Sequence, residues 1–450
     1  MQKQITFLVK NKVLSAIDFN PRSYDPEYLK IKKNLNNYEC LEHYLDKEIK
    51  GGSTPPYYLF KSNEDASIPF CKTSAINRDF INLNDLHYID SNFHTKNLSR
   101  SITKPYDVIY SMTGKFMGKA ALCPNVISEM NMSQNSVVIK NDNKLFSAQL
   151  CIFLNSKANK IQISGLYSIT KQKYINQGRI AKIKIPPLIK KNTKYLEDYI
   201  NNLDNYYGAT IKVKNTIKNF NKDILKCDFI PDTSNFFVIN NKSIIPMILT
   251  PKYYDNFNDS IISKINKLKI SKVLSDFKIK KGEEISSSNY IDAGVPFIKT
   301  SSFSNFGVDT QSNHYCSEEI FNNVNQNLSI GDIIFTKDGK IGEVGIIDEN
   351  TKIVLSAGII IVSVDNPDLR YWIFLLLNSL YGKVMFKKWN VIASTMSHLR
   401  KDIYNEFSIP EIDKNIQKKY IDELKTLFKQ KSSAHKKINL SKSKVLENLI

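Results

Sequence analysis

The sequence has no cysteine pair at CxxC spacing and no histidine pair at HxxH or HxxxH spacing, although it holds six of each in 450 residues. The scatter of Cys40, Cys71, Cys123, Cys151, Cys227 and Cys316 gives neither a thiolate metal site nor a disulfide framework, so a reducing, cytoplasmic setting is expected. No metal and no cofactor is expected. Long apolar runs are missing too: the longest, Tyr371–Leu377, is far short of the roughly 20 residues that cross a bilayer. Lys10, Lys12 and Asp18 break up the first twenty residues, which removes the continuous apolar core of a secretory signal. Acidic residues are few beside basic ones, 44 against 63, and the net charge of +19 with a pI near 9.3 points to a polyanionic partner, nucleic acid ahead of membrane. A hydrophobic fraction of 42% with 24% charged residues describes a folded chain, long enough at this length for two cores.

What is present is a repeat. Ile330–Ile347 (IGDIIFTKDGKIGEVGII) occurs a second time, loosely rewritten, as Pro105–Leu122 (PYDVIYSMTGKFMGKAAL). Both stretches predict strand, glycine turn, strand, with Asp332 and Asp107 ahead of β-branched and aromatic residues and Gly339, Gly342, Gly114 and Gly118 in the turns. The echo keeps its order along the chain. Tyr24-Asp25 answers Tyr254-Asp255 and Gly52 answers Gly282 at 230 residues; Ile68–Ile76 answers Val295–Phe303 at 227; Asp107 answers Asp332 at 225. Leu154-Asn155-Ser156 then meets Leu377-Asn378-Ser379 at 223, Thr170 meets Thr395 at 225, and Ile185-Pro186 meets Ile409-Pro410 at 224. A spacing that drifts by a few residues, as loop insertions make it drift, means one unit built twice.

Each unit has the same plan. An N-terminal arm, with a strand expected at Ile5–Val9, leads to a short helix through Tyr28, Ile31 and Leu35, whose later counterpart is Ile261, Ile265 and Leu268. Short strands and polar loops follow, predicting a mixed α/β (α+β) domain with a curved sheet. After Pro186-Pro187 the apolar spacing turns helical (Leu196, Tyr199, Ile200, Leu203, Tyr206, Tyr207, then Ile217, Phe220, Ile224), with a break or kink expected at Gly208 and the β-branched Thr210, Ile211 and Val213. The tail repeats the device through Ile416, Tyr420, Leu424 and Leu427, resuming at Ile438, Val445 and Leu449 beyond a Lys-Ser-Ser-Ala interruption. The expected bounds are therefore 1–187 for the first domain with its arm, 188–226 for its helix, 227–411 for the second domain and 412–450 for the second helix. Two related stripes can seal against each other as an antiparallel coiled coil, with Leu196, Tyr199, Leu203, Ile416, Tyr420 and Leu424 on the seam. At ~1.5 Å per residue such a helix is longer than one turn of duplex DNA, about 34 Å. Basic charge collects there: residues 171–226 hold 13 Lys and Arg against 4 acids, and 411–450 hold 10 Lys against 5. A solvated helix face would account for the same pattern.

Reaction chemistry is hard to find. Thr54-Pro55-Pro56-Tyr57 resembles the loop with which amino-methyltransferases grip an adenine or cytosine, but Thr lacks the amide or carboxylate oxygen aimed at the exocyclic amine. Asp338-Gly339-Lys340 matches the end of a nuclease motif without an acid placed before it, and Asp-Gly is a common hairpin turn. Neither Gly114-Lys115 nor Gly339-Lys340 has phosphate-loop spacing, and no Ser/His/Asp order recurs in both copies. Repeated polar positions suit binding better. Lys72-Thr73-Ser74 and Lys299-Thr300-Ser301 end matching strands and open loops holding Asn77, Arg78 and Asn82 in one copy and Ser304, Asn305, Asp309, Gln311 and Asn313 in the other. These are residue types that read phosphates and base edges, and also those that fill ordinary surface loops.

The motifs as a set resemble target recognition domains of type I restriction-modification specificity subunits. Gly331-Asp332 with Gly339 and Gly342, preceded by Val295–Thr300 and closed by Ser408-Ile409-Pro410 ahead of Gln417 and a helix, carries the likeness in the second half. Gly51–Pro55, Ile68–Phe70, Gly114 with Gly118, and Ile185-Pro186 carry it in the first, where Tyr106 replaces the glycine before Asp107. The resemblance implies a non-catalytic, sequence-specific DNA-binding subunit with two tandem target recognition domains. Each would read one half of a bipartite asymmetric site in double-stranded DNA, while the helices space the domains and dock DNA methyltransferase subunits, with a restriction endonuclease subunit able to join. On that basis Lys72, Thr73, Asn77, Arg78, Lys115 and Lys119 are candidates for one half-site. Lys299, Thr300, Ser304, Asn305, Lys337 and Lys340 are candidates for the other, with Thr395, Ser397, His398 and Arg400 beside them. A self-sufficient methyltransferase or nuclease, and a scaffold that binds only protein, are the competing readings.

Overall fold

Equivalent residues of the two sequence copies occupy equivalent places in the computed structural model. The structure describes residues 29–449 apart from 31–32, 34, 36, 62–66, 167, 170–172, 228–252, 254, 292, 312–313, 325, 349–351 and 394–395. The chain divides into two units, Met1–Gly208 with Ser433–Ile450, and Ala209–Ser432. The strand expected at Ile5–Val9 lies outside the described residues, as do Tyr28 and Ile31; Leu29, Lys30, Lys33 and Leu35 are helical.

In the first unit β1 (Lys50–Gly51), β4 (Val108–Ser111), β5 (Ala120–Leu122) and β7 (Ser136–Ile139) make a four-stranded sheet in the order β1-β7-β4-β5. Beside it β2 (Ile68–Cys71) lies between β3 (His87–Ile89) and β6 (Asn131–Met132), antiparallel to the first and parallel to the second. Helices α1 (Lys144–Leu154) and α2 (Lys157–Ser164), a hairpin of β8 (Ser168–Ile169) and β9 (Lys173–Tyr174), and the long α3 (Thr193–Asp223) follow.

The second unit rebuilds this after α4 (Asn256–Asn266) and β10 (Lys269–Val273). Its main sheet has β11 (Lys278–Lys281), β13 (Ile333–Thr336), β14 (Val344–Ile346) and β16 (Ile359–Ser363) in the order β11-β16-β13-β14. Strand β12 (Val295–Ile298) runs parallel to β15 (Val354–Leu355). Helices α5 (Pro367–Asn378) and α6 (Leu380–Lys388) and the hairpin β17 (Asn390–Ala393) with β18 (Met396–Leu399) come next. Strand β19 (Ser408–Glu411), paired with β10, then leads into α7 (Lys414–Leu449).

Registers agree as closely as the order does. Val108 faces Leu122 and Ile139, and Ile333 faces Ile346 and Val362. The small motifs of the sequence now have physical reasons. Ser156 and Ser379 cap the second helix of each pair, accepting from Asn159 N at 3.2 Å and Gly382 N at 3.4 Å. Asp107 and Asp332 accept from Lys104 N at 2.9 Å and Ser329 N at 2.8 Å, closing the turn that enters the hairpin. The carbonyls of Pro186 and Pro410 accept from the side chains of Gln149 at 3.3 Å and Trp372 at 2.9 Å, so a buried donor ties each α/β core to the exit of its domain. Gly114, Gly118, Gly339 and Gly342 all have φ between 62° and 85°.

The long helices differ from expectation in one respect: neither is broken. Helix α3 passes through Gly208, Thr210, Ile211 and Val213, and α7 passes through Lys431–Ala434. Buried positions on α7 include 420, 424, 427, 431, 434, 438, 441 and 445, a row of alternating steps of four and three flanked by buried Ile421, Phe428 and Leu449, so the seam outweighs weak local propensity. Within the first unit Asn192 meets Asn448 at 2.7 Å and Tyr206 stacks near His435; within the second, Thr216 meets Glu423 at 2.9 Å and Asp223 meets Tyr420 at 2.6 Å. In both units the two helices run antiparallel. Leu196, Tyr199, Leu203, Tyr420 and Leu424 are at most 3% exposed, whereas Ile416, in the first turn of α7, is 45% exposed and stands outside the seam.

Two glycine substitutions should act in opposite directions. A Cβ on Gly208 meets nothing within 4 Å, so Gly208→Ala is expected to stabilise the fold by about 0.5–1 kcal/mol. A Cβ on Gly282 would lie 2.2 Å from Ser356 O, as one on Gly52 would from Met132 O, so Gly282→Ala is expected to cost about 1–3 kcal/mol or more. Urea melts of the two variants check both signs.

Candidate nucleic-acid interface

The strand that ends each conserved-spacing loop delivers a lysine onto an aromatic ring. Lys72 Nζ lies 5.1 Å from the centroid of Phe60, and its counterpart Lys299 lies 4.7 Å from Tyr290 and 5.9 Å from Phe297. Each lysine precedes a single 3-10 turn, Thr73–Ala75 or Thr300–Ser302, leaving lysine and threonine half-buried at the loop entrance.

Beyond that entrance the loops turn inward. Asn77, Asp79 and Asn82 are buried, and Ile81 N donates to Tyr207 Oη of α3 at 2.6 Å. Phe80 packs on Tyr206, Tyr207 and His435. In the second loop Asn305 is fully buried and Ser304 is 8% exposed, held by the tight Phe303–Val308 hairpin with Asn305 and Phe306 at positive φ. Lys119 is 6% exposed, its ammonium 5.4 Å from the Phe116 ring that also carries Lys115. Asn77, Lys119, Ser304 and Asn305 are therefore buried and present little surface to solvent. Arg78 stays half-buried.

A second polar cluster forms where hairpin β17–β18 crosses the β13–β14 turn. Leu399 N donates to Lys337 O at 2.8 Å and Gly339 N to Ser397 O at 3.0 Å, which places His398 Nδ1 2.8 Å from Asp338 Oδ1. Asp338 also pairs with Lys337 at 2.8 Å, and Lys340 pairs with Glu343 at 2.8 Å. Thr300 approaches from the side, its Oγ1 3.9 Å from a Cβ built on Gly339. Arg400 pairs with Asp402 at 3.0 Å, its guanidinium 5.9 Å from the Trp389 ring. Lys337, Lys340, Ser397, His398 and Thr300 are thus brought together; Thr395 lies outside the described residues. The first unit repeats the crossing with Ile175 N donating to Met112 O at 3.1 Å, but Thr113 and Tyr174 stand where the second unit has Asp338 and His398. Backbone is shared; the chemistry presented is not.

Spacing in sequence could not show how the first loop is held. Asp79, 1% exposed at its side chain and at φ 70°, accepts from Asn155 Nδ2 at 3.0 Å and Tyr199 Oη at 3.3 Å, and pairs with Lys442 of α7. Tyr106 likewise takes φ 68°, where the second unit has Gly331 at 94°, and donates to Asp204 of α3 at 2.8 Å. Burial and the Asp204 carboxylate push the Tyr106 phenol up to about 12. Its replacement of glycine therefore adds a tie to the helix.

No group of three or more His, Cys, Asp or Glu side chains could hold a metal among the described residues. None of the six cysteines is in a disulfide, and burial pushes the thiols of Cys71, Cys123 and Cys151 upward, away from nucleophilic use. No helix among the described residues is long and apolar enough to cross a membrane.

Residues 272–441, which take in β11–β18, both lysine and hairpin clusters of the second unit and most of α7, match the family of type I restriction modification DNA specificity domains. The protein carries a type I DNA specificity domain. The match spans less than half of the chain and marks that stretch as similar to a DNA specificity domain. The chain also has matches among solved structures, at low identity. The S subunit of a type I restriction-modification system from M. genitalium is 12% identical over 91% of this chain and 96% of that one, with a TM-score of 0.32. The HsdS subunit from Thermoanaerobacter tengcongensis is 14% identical over 89% and 94%, with a TM-score of 0.28. Likenesses at that level add nothing further. No curated protein matches the sequence.

The buried pair that holds the first unit's loop is open to a direct test. Lys442→Met leaves Asp79 buried without its cation and is expected to cost about 3–5 kcal/mol, with much of the loss recovered in the double variant carrying Asp79→Asn. Chemical denaturation of the four members of the cycle measures it.

Proposed function

We propose that the subunit reads a bipartite, asymmetric target in double-stranded DNA, one half-site per unit. The recognition domains are taken as residues 1–187 and 227–411. Segments 188–226 and 412–450 act as the spacer that sets the gap and docks DNA methyltransferase subunits, with a restriction endonuclease subunit joining the assembly. The setting is the cytoplasm, where the host's DNA lies. One observation carries this reading: the same sheet order and register are built twice, with Asp338 and His398 in one copy and Thr113 and Tyr174 in the other at the same crossing. Identical frames with different presented groups suit two different half-sites.

In this reading Lys72, Thr73, Arg78 and Lys115 face the first half-site, and Lys299, Thr300, Lys337, Lys340, Ser397, His398 and Arg400 the second. Lysines held over rings present a cation with little side-chain freedom to lose, which suits phosphate contact and register. His398 differs. Asp338 fixes its Nδ1, which leaves Nε2 to meet a base edge in the major groove.

The reading is tested on the complex reassembled with its methyltransferase subunits. Methylome sequencing of a host with and without the gene should show one bipartite motif disappear, and methyl transfer by this chain alone would contradict the proposal. On the motif so named, Lys299→Ala should weaken binding across sequences and reduce the slope of log affinity against log salt by about 0.9. His398→Ala should instead relax selectivity at one base pair of the second half-site by about 1–3 kcal/mol, read by competition binding.

A further inference from the structure

We infer that Tyr57 and Tyr58 form an aromatic contact to a base step of the first half-site, one that the second unit does not make. The inference rests on the reading of the first unit as a half-site reader.

Tyr57 is 92% exposed and Tyr58 is 78% exposed; the next most exposed large hydrophobic residue among those described, Leu440, reaches 62%. A tyrosine at a surface ordinarily lies along apolar neighbours, so two adjacent rings standing in water need a partner to cover them. Their presentation is stiff. Pro55 and Pro56 precede them, Pro56 has φ −54° and ψ 148°, and Leu59 N donates to Pro56 O at 3.1 Å to close the 3-10 turn Tyr57–Leu59. Binding through such a turn loses little conformational freedom.

The repeat isolates what is special here. Phe60, separated from Tyr58 only by Leu59 at the end of the turn, carries Lys72, just as Tyr290, 230 residues later, carries Lys299. The platform of ring and cation is therefore common to both units. At the positions of Tyr57 and Tyr58 the second unit has Ser287 and Ser288, in the 3-10 turn Ser287–Asn289 capped by Ser286. Exposed rings beside a ring-held ammonium fit a nucleic acid, whose phosphate takes the cation while a base takes the ring face. On a duplex the same pair can enter between stacked bases as a wedge, which unstacks the step and adds a contact that salt does not screen.

The test uses the complex with its methyltransferase subunits and a duplex bearing the target named by methylome sequencing, with 2-aminopurine placed in turn at each position of the first half-site. Wild type should raise the fluorescence at one step. The variant Tyr57→Ser/Tyr58→Ser, which installs the second unit's residues at exposed positions, should abolish that rise and lower affinity by about tenfold or more. Its melting temperature and its discrimination at the second half-site should stay unchanged. Unchanged affinity and fluorescence in the variant would overturn the inference. So would failure to assemble with methyltransferase subunits while DNA binding persists, since the rings would then belong to a protein contact. If the wild-type complex showed no sequence-dependent DNA binding, the half-site reading itself would fail and take this inference with it.

Discussion

Each unit depends on a sheet whose two middle strands keep almost every side chain out of water. Val108–Ser111 and Ser136–Ile139 are wholly buried, as are Ile333–Thr336 and Ile359–Val362. A strand covered on both faces has no alternation of polar and apolar residues to penalise a one-residue slip, so pattern alone cannot hold its register. The turns do that work. Glycines at positive φ fix where the hairpin reverses, Asp107 and Asp332 fix where the chain enters it, and the following hairpin locks on through Met112–Ile175 or Lys337–Leu399. Everything presented at that end of the sheet inherits its position from those few backbone bonds.

Much of this frame was legible in the sequence because it was written twice. A turn glycine or an Ile-Pro pair says little alone, but the same residues at a near-constant offset show one curved-sheet unit built twice, whereas the capped helix pairs of 144–164 and 367–388 had no counterpart in the expectation. Side-chain placement was far less legible. Asn77, Ser304 and Asn305 are of the types that read DNA, yet all three are buried, a fact about the third dimension that residue type does not carry. The partnership of Asp79 with Lys442 joins positions 363 apart and had no local signal. Helix continuity was misjudged at Gly208 and at Lys431–Ala434 for a related reason. Local propensity is worth about 1 kcal/mol or less per residue, and a long sealed stripe on either side exceeds it.

The departures between the copies are as informative as the matches. Where the second unit has Gly331, the first has Tyr106, which accepts a strained backbone and ties its hydroxyl to Asp204. Where the second has serines at 287 and 288, the first exposes two rings. The frame tolerates such changes because they fall at turns and at the crossing of hairpins, not in the strands whose burial holds the unit together. A duplicated frame of this kind can change the side chains that one copy presents while the other copy keeps its own surface intact.

One consequence follows from the membership of residues 433–450 in the first unit. That segment leaves the ribosome only after the whole of the second unit has emerged. Until then Asp79 has no Lys442, Asn192 has no Asn448 and Tyr206 has no His435. The first unit to be synthesised is thus completed only after the second, and its unsealed helix must be kept from aggregating while the second is translated.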